Sequence, residues 1–227
     1  MEPLTRGARR VLARVAQARD LGDRRGRFEN EIIPVEVQNP HVGTLFAVDE
    51  TPRRETSAEA LAGLTPAFRP DGKITAGNSS QICDGAAGVL IASERKASEL
   101  RLTPRARFVS FGLAGVDPYR MLHGNPQASE AARKRAGISW DDVSVIEVNE
   151  AFASVVLQFA RDAGLQERMD DVNPNGGGIS LGHPLGATGA RITATLVNEL
   201  ERRDGRYGLA TMCIGFGQAI ASVIERV

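Results

Sequence analysis

The second half of the chain alternates short apolar runs with longer segments whose apolar residues recur every three or four positions. The runs ARFVSFGLAG and VSVIEV predict buried β-strands. The segments PQASEAARKRAG and EAFASVVLQFARDAG predict amphipathic helices that end at Gly137 and Gly164, because glycine commonly follows the last helical turn. Strand and helix therefore follow one another from about residue 105 onwards.

The C-terminal end first continues this pattern and then changes it. GARITATLVNELERRD predicts a helix with Ile192, Leu196 and Leu200 on one face. YGLATMCIG and QAIASVIERV predict two final strands joined by a tight glycine turn. Alternating strands and helices favour a layered α/β domain, and the paired final strands add antiparallel neighbours. We therefore predict an α/β fold with a mixed sheet.

The first part of the chain is less regular. FENEIIPVEV, residues 28–37, predicts a strand, and the polar residues 38–56 predict a loop because they include Pro40, Gly43 and Pro52. Ser57 is suited to cap a short helix over residues 57–64. The apolar run over residues 86–92 predicts a buried strand.

Composition adds few constraints. The chain has 227 residues, of which 42% are hydrophobic and 25% charged, and its formal net charge is zero. Nothing global therefore favours a nucleic acid or an anionic membrane as a partner. The two cysteines, Cys83 and Cys213, do not make a disulfide framework, which favours a reducing, cytoplasmic location. The arginine-rich residues 1–27 predict either a surface helix, which the apolar spacing favours, or an organelle transit peptide.

The stretch NPNGGGISLGHPLGATGAR, residues 173–191, holds six glycines around a single histidine, His183. Glycine loses more conformational entropy on folding than other residues, so this run indicates sharp turns or a close approach to the backbone. His183 comes just before a helix that can begin at Pro184, since proline is favoured at the first helical position.

Two further polar residues lie where predicted strands end. Asn149 follows VSVIEV, and Cys213 ends YGLATMC. Because ligands bind at the carboxyl ends of strands in α/β sheets, we expect Asn149, His183 and Cys213 to meet at one site. A helix N-terminus disfavours the imidazolium, so His183 should be neutral and able to accept a proton. A cysteine beside it can become a thiolate, and Asn149 can hold a water or donate to an oxyanion.

Each of these residues also has an ordinary structural interpretation. Cys213 can be a small buried apolar residue, and Asn149 can cap the helix that follows it. A histidine in a glycine loop serves structure about as often as function. Cys83, in QICDGAAG before an apolar run, is interpreted as structural.

Together, these motifs resemble the thiolase family. VNEAFA (148–153), NPNGGGISLGHPLGATGARI (173–192) and CIGFGQ (213–218) match that family's three C-terminal motifs in order and spacing. Upstream, RFENEIIPVEV, DETPRRETSAEALAGLTPAF and DGKITAGNSSQICDGAAGVLIASE are similar to the family's middle region. MLHGNPQASEAA departs from the family's usual glycine–proline turn. The resemblance covers about residues 28–227 and corresponds to the C-terminal part of a thiolase.

The resemblance implies roles for individual residues. The histidine that matches His183 activates the nucleophile and helps to bind the thioester oxygen. The asparagine that matches Asn149 holds a water in that oxyanion hole. The cysteine that matches Cys213 is the acid/base, and the backbone at Gly215 matches a donor of a second oxyanion hole.

The resemblance also implies the substrates. Ser80 in GNSSQ matches a serine near the pantetheine of coenzyme A (CoA), and Phe68 in PAF matches an aromatic residue near the CoA chain. The implied reaction is reversible: CoA cleaves a 3-ketoacyl-CoA to acetyl-CoA and a shortened acyl-CoA, or two acyl-CoA units condense. CoA and acyl-CoA are then substrates, and the chemistry needs no metal or other cofactor if preorganised donors hold the enolate.

Thiolases are built from two similar halves with an inserted loop domain, and the resemblance divides this chain accordingly. Residues 1–80 correspond to a remnant of the loop domain, 81–104 to the end of the N-terminal domain and 105–227 to the C-terminal domain. The implied fold is a layered α/β fold with a mixed five-stranded sheet, helices on both faces and an incomplete first half. The strand over residues 86–92 would belong to the incomplete sheet, whose apolar edges and faces would be exposed.

Neither cysteine matches the acylated nucleophile of the family. Cys213 matches the acid/base, and Cys83 falls where the family often has serine. We therefore expect the chain to act with a separate N-terminal thiolase half, in a homo- or hetero-oligomer. The alternative is a truncated, non-catalytic thiolase that binds CoA or serves as an assembly subunit. A ketoacyl synthase relative would share the cysteine–histidine chemistry, but GHPLGATGAR followed by CIGFGQ favours a thiolase.

Overall fold

The strands form one main sheet and one short pair. The computed structural model describes residues 26–38, 45–53 and 56–227, so the alternatives for the arginine-rich N-terminus lie outside the described residues. The strands are β1 (Val35–Glu36), β2 (Leu45–Phe46), β3 (Ala106–Gly115), β4 (Val143–Val148), β5 (Tyr207–Ile214) and β6 (Gln218–Arg226). The main sheet has the order β3–β6–β5–β4. β4 and β5 run parallel, whereas β6 is antiparallel to both of its neighbours, which confirms the predicted mixed sheet.

Helices connect most of these strands. They are α1 (Ala58–Ala62), α2 (Glu94–Glu99), α3 (Asn125–Ala136), α4 (Ala153–Asp162), α5 (Gly178–Leu181) and α6 (Thr188–Arg203). The predicted cap of α1 is present, because the Ser57 side chain accepts a hydrogen bond from the backbone N–H of Ala60 at 3.1 Å. Gly137 ends α3 as predicted, in the left-handed conformation with a φ of 70°.

The helices cover both faces of the main sheet. Leu209 of β5 packs in one apolar cluster with residues of α3 and α4, whereas the next residue, Ala210, packs with Ile192 and Leu196 of α6. Successive side chains of a strand point to opposite faces, so the two clusters lie on opposite sides of the sheet. This confirms the helices on both faces and the predicted apolar face of α6.

Three predicted elements differ from the structure. The predicted strand of residues 28–37 is reduced to Val35–Glu36, preceded by turns over residues 26–31. The last helix begins at Thr188 and not at Pro184, because the Pro184 carbonyl accepts from the N–H groups of Ala187 and Thr188 and closes a turn there. The main sheet has four strands in the described part of the chain, one fewer than the resemblance implies.

The predicted buried strand over residues 86–92 is neither a strand nor buried. Leu90 is 83% exposed and Ile91 69% exposed. A run of this kind forms a strand only where a neighbouring strand supplies hydrogen bonds and an apolar face, and the described residues supply neither. The expected exposure of apolar surface in this region is thus observed.

Candidate active site

Asn149 lies at the carboxyl end of β4, next to the strand that carries Cys213. Its backbone N–H donates to the carbonyl of Thr211 on β5 at 3.0 Å, two residues before Cys213. Because β4 and β5 are parallel neighbours, their carboxyl ends meet at the same edge of the sheet. Asn149 is buried, and α4 begins only at Ala153, so Asn149 does not cap that helix.

His183 is held from three directions. Its backbone N–H donates to the carbonyl of Gln81 at 2.9 Å. Its Nδ1 lies 2.7 Å from Oγ1 of Thr188, and its Nε2 lies 3.2 Å from Nδ2 of Asn149. The Thr188 hydroxyl donates to the carbonyl of Pro184, so it accepts from Nδ1–H of the imidazole. Nε2 then carries the lone pair, which accepts from the Asn149 amide and is the position at which the ring can take a proton.

The surroundings of His183 favour this neutral form. Partial burial is the main cause that lowers the pKa of His183, and the positive charge of Arg191 lowers it further. The neutral state matches the prediction, but its cause is burial and a nearby guanidinium. The helix itself begins five residues after the histidine, at Thr188.

Cys213 is a buried thiol near the end of β5. Burial is the main cause that shifts its pKa and raises it, and hydrogen bonding with its own backbone offsets only part of this rise. The net effect is a raised pKa, so Cys213 is a protonated thiol at neutral pH. A thiol in this state is suited to donate a proton.

The glycine-rich stretch is tied to the end of β4. The Asn173 side chain accepts from the backbone N–H of Val148 at 2.7 Å and donates to Oε1 of Glu150 at 2.9 Å. Oε2 of Glu150 accepts from the backbone N–H of Ile179 at 3.1 Å. A Cβ at position 177 would lie 2.5 Å from the Glu150 carboxyl carbon, so only Gly177 leaves room for this buried carboxylate. Gly177 therefore allows a side chain to approach the backbone closely, which is one of the two explanations that the sequence offers for the glycine run.

The other predicted site residues lie around this centre. Gly178 separates Ser80 from His183, since a Cβ on it would lie 3.4 Å from Cβ of Ser80 and 3.5 Å from Cβ of His183. Phe68 is 73% exposed, and its ring contacts that of Phe152 edge to face, with the ring centroids 6.4 Å apart. Gly215 is exposed and follows Cys213 by two residues.

Sequence reasoning missed Thr188, Arg191 and Glu150. Each lies inside a motif already quoted: Glu150 follows Asn149 in VNEAFA, and the other two belong to GATGAR. The only sign in the sequence that these residues contribute to the site is that they lie inside these motifs. Their contacts with His183 and the glycine-rich stretch depend on the path of the loop, which residue spacing does not define.

Asn149 also carries an open acceptor. Its Oδ1 is buried and has no hydrogen-bond partner among the residues that the structure describes. A buried amide oxygen without a partner is costly, and such positions commonly hold an ordered water. This Oδ1 can therefore accept from a water beside His183.

The described part of the chain has neither a metal-binding cluster nor a membrane-spanning helix. Within residues 26–38, 45–53 and 56–227, no group of three histidine, cysteine or carboxylate side chains is placed to hold a metal ion. No helix in that part of the chain is long and apolar enough to cross a membrane. Cys83 and Cys213 are both free thiols.

Fold and site together define an α/β protein in which Asn149 and Cys213 lie at the carboxyl ends of neighbouring parallel strands, and His183 of the glycine-rich loop contacts Asn149. The family model for the thiolase C-terminal domain matches residues 102–226, and that for the thiolase N-terminal domain matches residues 14–95. The chain belongs to the thiolase family.

Named relatives agree with this assignment. The chain is 51% identical over 205 residues to a 3-ketoacyl-CoA thiolase of Photobacterium profundum, covering 89% of this chain and 53% of the relative. It is 54% identical over 205 residues to a 3-ketoacyl-CoA thiolase of Vibrio vulnificus, covering 88% of this chain and 53% of the relative. The chain thus spans about half the length of these relatives.

Solved structures show the same fold. The Bacillus anthracis acetyl-CoA acetyltransferase superimposes with a TM-score of 0.91 at 40% identity, over 96% of this chain and 55% of the other. Human mitochondrial 3-ketoacyl-CoA thiolase superimposes with a TM-score of 0.88 at 39% identity, again over 96% and 55%. A structure of the human enzyme in complex with CoA gives a TM-score of 0.87 at 39% identity, over 96% and 54%.

Proposed function

We propose that this chain supplies the acid/base and the oxyanion-binding residues of a thiolase active site. The reaction is the CoA-dependent cleavage of a 3-ketoacyl-CoA to acetyl-CoA and a shortened acyl-CoA, or the reverse condensation. The observation that carries the proposal is the 3.2 Å contact between Asn149 and His183, at the sheet edge where Cys213 also lies. This contact joins residues of two separate motifs. His183 can accept a proton, and Cys213 can donate one.

The first step forms an acyl-enzyme. His183 takes the proton of a nucleophilic cysteine at Nε2, and the resulting thiolate attacks the 3-keto carbon of the substrate. The bond between C2 and C3 breaks, and its electron pair remains on C2 as the enolate of acetyl-CoA. The Cys213 thiol donates its proton to C2, so acetyl-CoA leaves and Cys213 becomes a thiolate. The raised pKa of Cys213 suits this donor role.

The second step transfers the acyl group to CoA. The Cys213 thiolate takes the proton of the CoA thiol, and the CoA sulfur attacks the carbonyl of the acyl-enzyme. Nε2–H of His183 and a water held by Asn149 donate to the thioester oxygen as negative charge develops there. Collapse of this intermediate releases the shortened acyl-CoA, and the nucleophile regains its proton from His183.

The position of the CoA chain follows from Ser80 and Phe68. Ser80 lies across Gly178 from His183, and Phe68 presents an exposed ring beside Phe152 of the VNEAFA motif. A serine hydroxyl and an aromatic face suit the polar and apolar parts of a pantetheine arm. We propose that both contact CoA, which is the ligand named for the human relative.

The nucleophilic cysteine of this scheme is neither Cys83 nor Cys213. We propose that a polypeptide corresponding to the first thiolase half supplies it, in a homo- or hetero-oligomer. In this organisation residues 1–80 belong to the loop domain, 81–104 to the end of the N-terminal domain and 105–227 to the C-terminal domain. The free thiols of the chain fit a reducing compartment such as the cytoplasm.

The proposal is tested by complementation. The 227-residue chain is mixed with a recombinant first half of the Photobacterium profundum relative, and complex formation is measured by native mass spectrometry. Thiolysis of acetoacetyl-CoA by CoA is then followed in the mixture and in each component alone. We expect activity in the mixture, and we expect the His183→Ala and Cys213→Ala variants to reduce it by about 10²-fold or more.

Cys83→Ala is the matched control, because it removes the other thiol of the chain and should leave activity within about twofold. A complex that forms but shows no thiolysis would contradict the proposal. If the chain alone then bound CoA in calorimetry, the non-catalytic CoA-binding alternative would take its place. Activity that survives in both His183→Ala and Cys213→Ala would contradict the assigned roles.

A further inference from the structure

Gln81 lies in a short segment that runs between two parts of the site. The backbone N–H of the preceding residue, Ser80, donates to the carbonyl of Ala151 at 3.0 Å, two residues after Asn149. The backbone carbonyl of Gln81 accepts from the backbone N–H of His183 at 2.9 Å. This segment therefore holds the chain on both sides of the contact between Asn149 and His183.

The side chain of Gln81 binds the loop that leads to His183. Its Nε2 donates to the carbonyl of Ile179 in α5 at 3.1 Å and to the carbonyl of Thr51 at 3.3 Å. An amide nitrogen has two N–H bonds, and both are used here because both partners are carbonyl oxygens. The Gln81 amide thus joins the segment that follows β2 to the short helix before the histidine.

Thr51 holds the end of the same helix. Its Oγ1 donates to the carbonyl of Leu181, the last residue of α5, at 2.9 Å. A Cβ on Gly182 would lie 3.5 Å from Cγ2 of Thr51, so the threonine also packs against the residue before His183. The last carbonyls of a helix have no partner within it, and α5 has only four residues, so its end depends on donors from elsewhere.

We propose that Gln81 and Thr51 are positioning residues of the catalytic histidine. They act through the carbonyl end of α5, which fixes where the backbone of His183 lies relative to Thr188 and Asn149. With this end held, Nδ1–H of the imidazole points to Thr188 and the lone pair of Nε2 to Asn149. The catalytic meaning of this arrangement rests on the proposed function, whereas the orientation of the ring can be measured on the chain alone.

The test is the tautomer of His183 in the whole 227-residue chain labelled with ¹⁵N at its histidines. Two-bond ¹H–¹⁵N spectra of the neutral ring distinguish the Nδ1–H form from the Nε2–H form, and a His183→Gln variant assigns the signals. We expect the Nδ1–H form to dominate in the unaltered chain, because Thr188 accepts from Nδ1–H. Gln81→Met and Thr51→Val keep the size of the side chain but remove the donor. The ratio of Nδ1–H to Nε2–H should fall about threefold or more in each.

The catalytic consequence is measured in the mixture with the recombinant first half. Gln81→Met should lower kcat for thiolysis by about tenfold, because a displaced imidazole is out of line with the nucleophile and the thioester oxygen. KM for acetoacetyl-CoA should change by less than about threefold, since the Gln81 side chain is engaged by two backbone carbonyls. Thr51→Ser keeps the hydroxyl and should behave as the unaltered chain. Gln166→Met, at an exposed position, is the matched control.

An unchanged tautomer ratio in both Gln81→Met and Thr51→Val would overturn the proposal. If Gln81→Met does not fold, Thr51→Val decides, because it only replaces a hydroxyl by a methyl group. A shifted ratio with an unchanged kcat would also overturn it, because the orientation of the ring would then not serve catalysis. A shifted ratio together with a mixture that is inactive even with the unaltered chain would leave the positioning of His183 standing and reject the thiolase function.

Discussion

His183 and Arg191 show how single residues control the protonation of the site. The imidazole is held at both nitrogens, and the guanidinium of Arg191 acts on it through charge alone. Arg191 also lies 4.0 Å from the buried carboxylate of Glu147, so it is the one cation shared by the histidine and this acid in the described part of the chain. The positive charge of Arg191 therefore lowers the pKa of both His183 and Glu147.

Arg191→Met is expected to raise the pKa of His183, because it removes the nearby positive charge that disfavours the imidazolium. Arg191→Lys keeps the charge and should leave this pKa close to that of the unaltered protein. The measurement is an NMR titration of the histidine Hε1 signals, with His183 assigned by a His183→Gln variant. Equal His183 midpoints in the Met and Lys variants would show that the charge of residue 191 does not act on the imidazole.

Glu147→Gln is expected to remove part of the loss of stability that occurs as the pH rises from 4.5 to about 8. Burial raises the pKa of Glu147 from 4.5 to about 8, and the charge of Arg191 only partly offsets this. A raised carboxyl pKa stabilises the fold fully below pH 4.5, and this stability is lost as the pH rises to about 8. The loss amounts to at most about 1.4 kcal/mol per pH unit across that window.

Urea unfolding at pH 5, 6, 7 and 8 measures this effect. The unfolding free energy of Glu147→Gln should fall less steeply with pH than that of the unaltered chain. Glu167→Gln, at an exposed position, controls for the general effect of removing a carboxylate. Parallel pH curves for the unaltered chain and Glu147→Gln would contradict the prediction.

Among the elements, the glycine-rich segment that precedes α6 depends on close packing against Glu150. Gly177→Ala is expected to destabilise the chain by about 1–3 kcal/mol, because the added Cβ overlaps a carboxylate fixed by Asn173 and Ile179. Urea unfolding of the variant measures the change. Gly186→Ala is the matched control, since a Cβ there meets no atom within 4 Å. Equal losses in both variants would mean that general glycine replacement, and not the Glu150 contact, is responsible.

The elements that the sequence predicts correctly are those whose apolar faces are buried within this chain. β3 to β6, α3 and the apolar face of α6 follow from periodicity, because each has its packing partner among the described residues. The run over residues 86–92 has no such partner, so its apolar pattern predicts burial that the chain does not provide. The position of Asn149 and Cys213 after predicted strands led to the expectation that they meet His183 at one site, and the structure shows the Asn149–His183 contact. These positions could not supply Thr188 as the Nδ1 partner, because that contact depends on how the loop turns at Pro184.

For the whole molecule, the main feature is apolar surface that remains open. Exposed apolar side chains occur in the segment that carries Cys83 and also on β3, which is an edge strand of the main sheet. They include Ile82, Leu90, Ile91, Phe111 and Leu113. Exposed apolar groups of this extent mark interaction surfaces or lead to aggregation. In the proposed organisation, the first thiolase half covers the part around Leu90.

Leu90→Glu is therefore expected to weaken the complex with the recombinant first half by about tenfold or more, because it places a charge in an apolar interface. The unfolding free energy of the isolated chain should change by less than about 0.5 kcal/mol, since Leu90 is 83% exposed. Titration calorimetry measures the affinity, and urea unfolding measures the stability. Tyr119→Glu, at a side chain that is 94% exposed elsewhere on the surface, is the matched control. If both variants bind the first half as the unaltered chain does, the open surface around Leu90 is not its docking face.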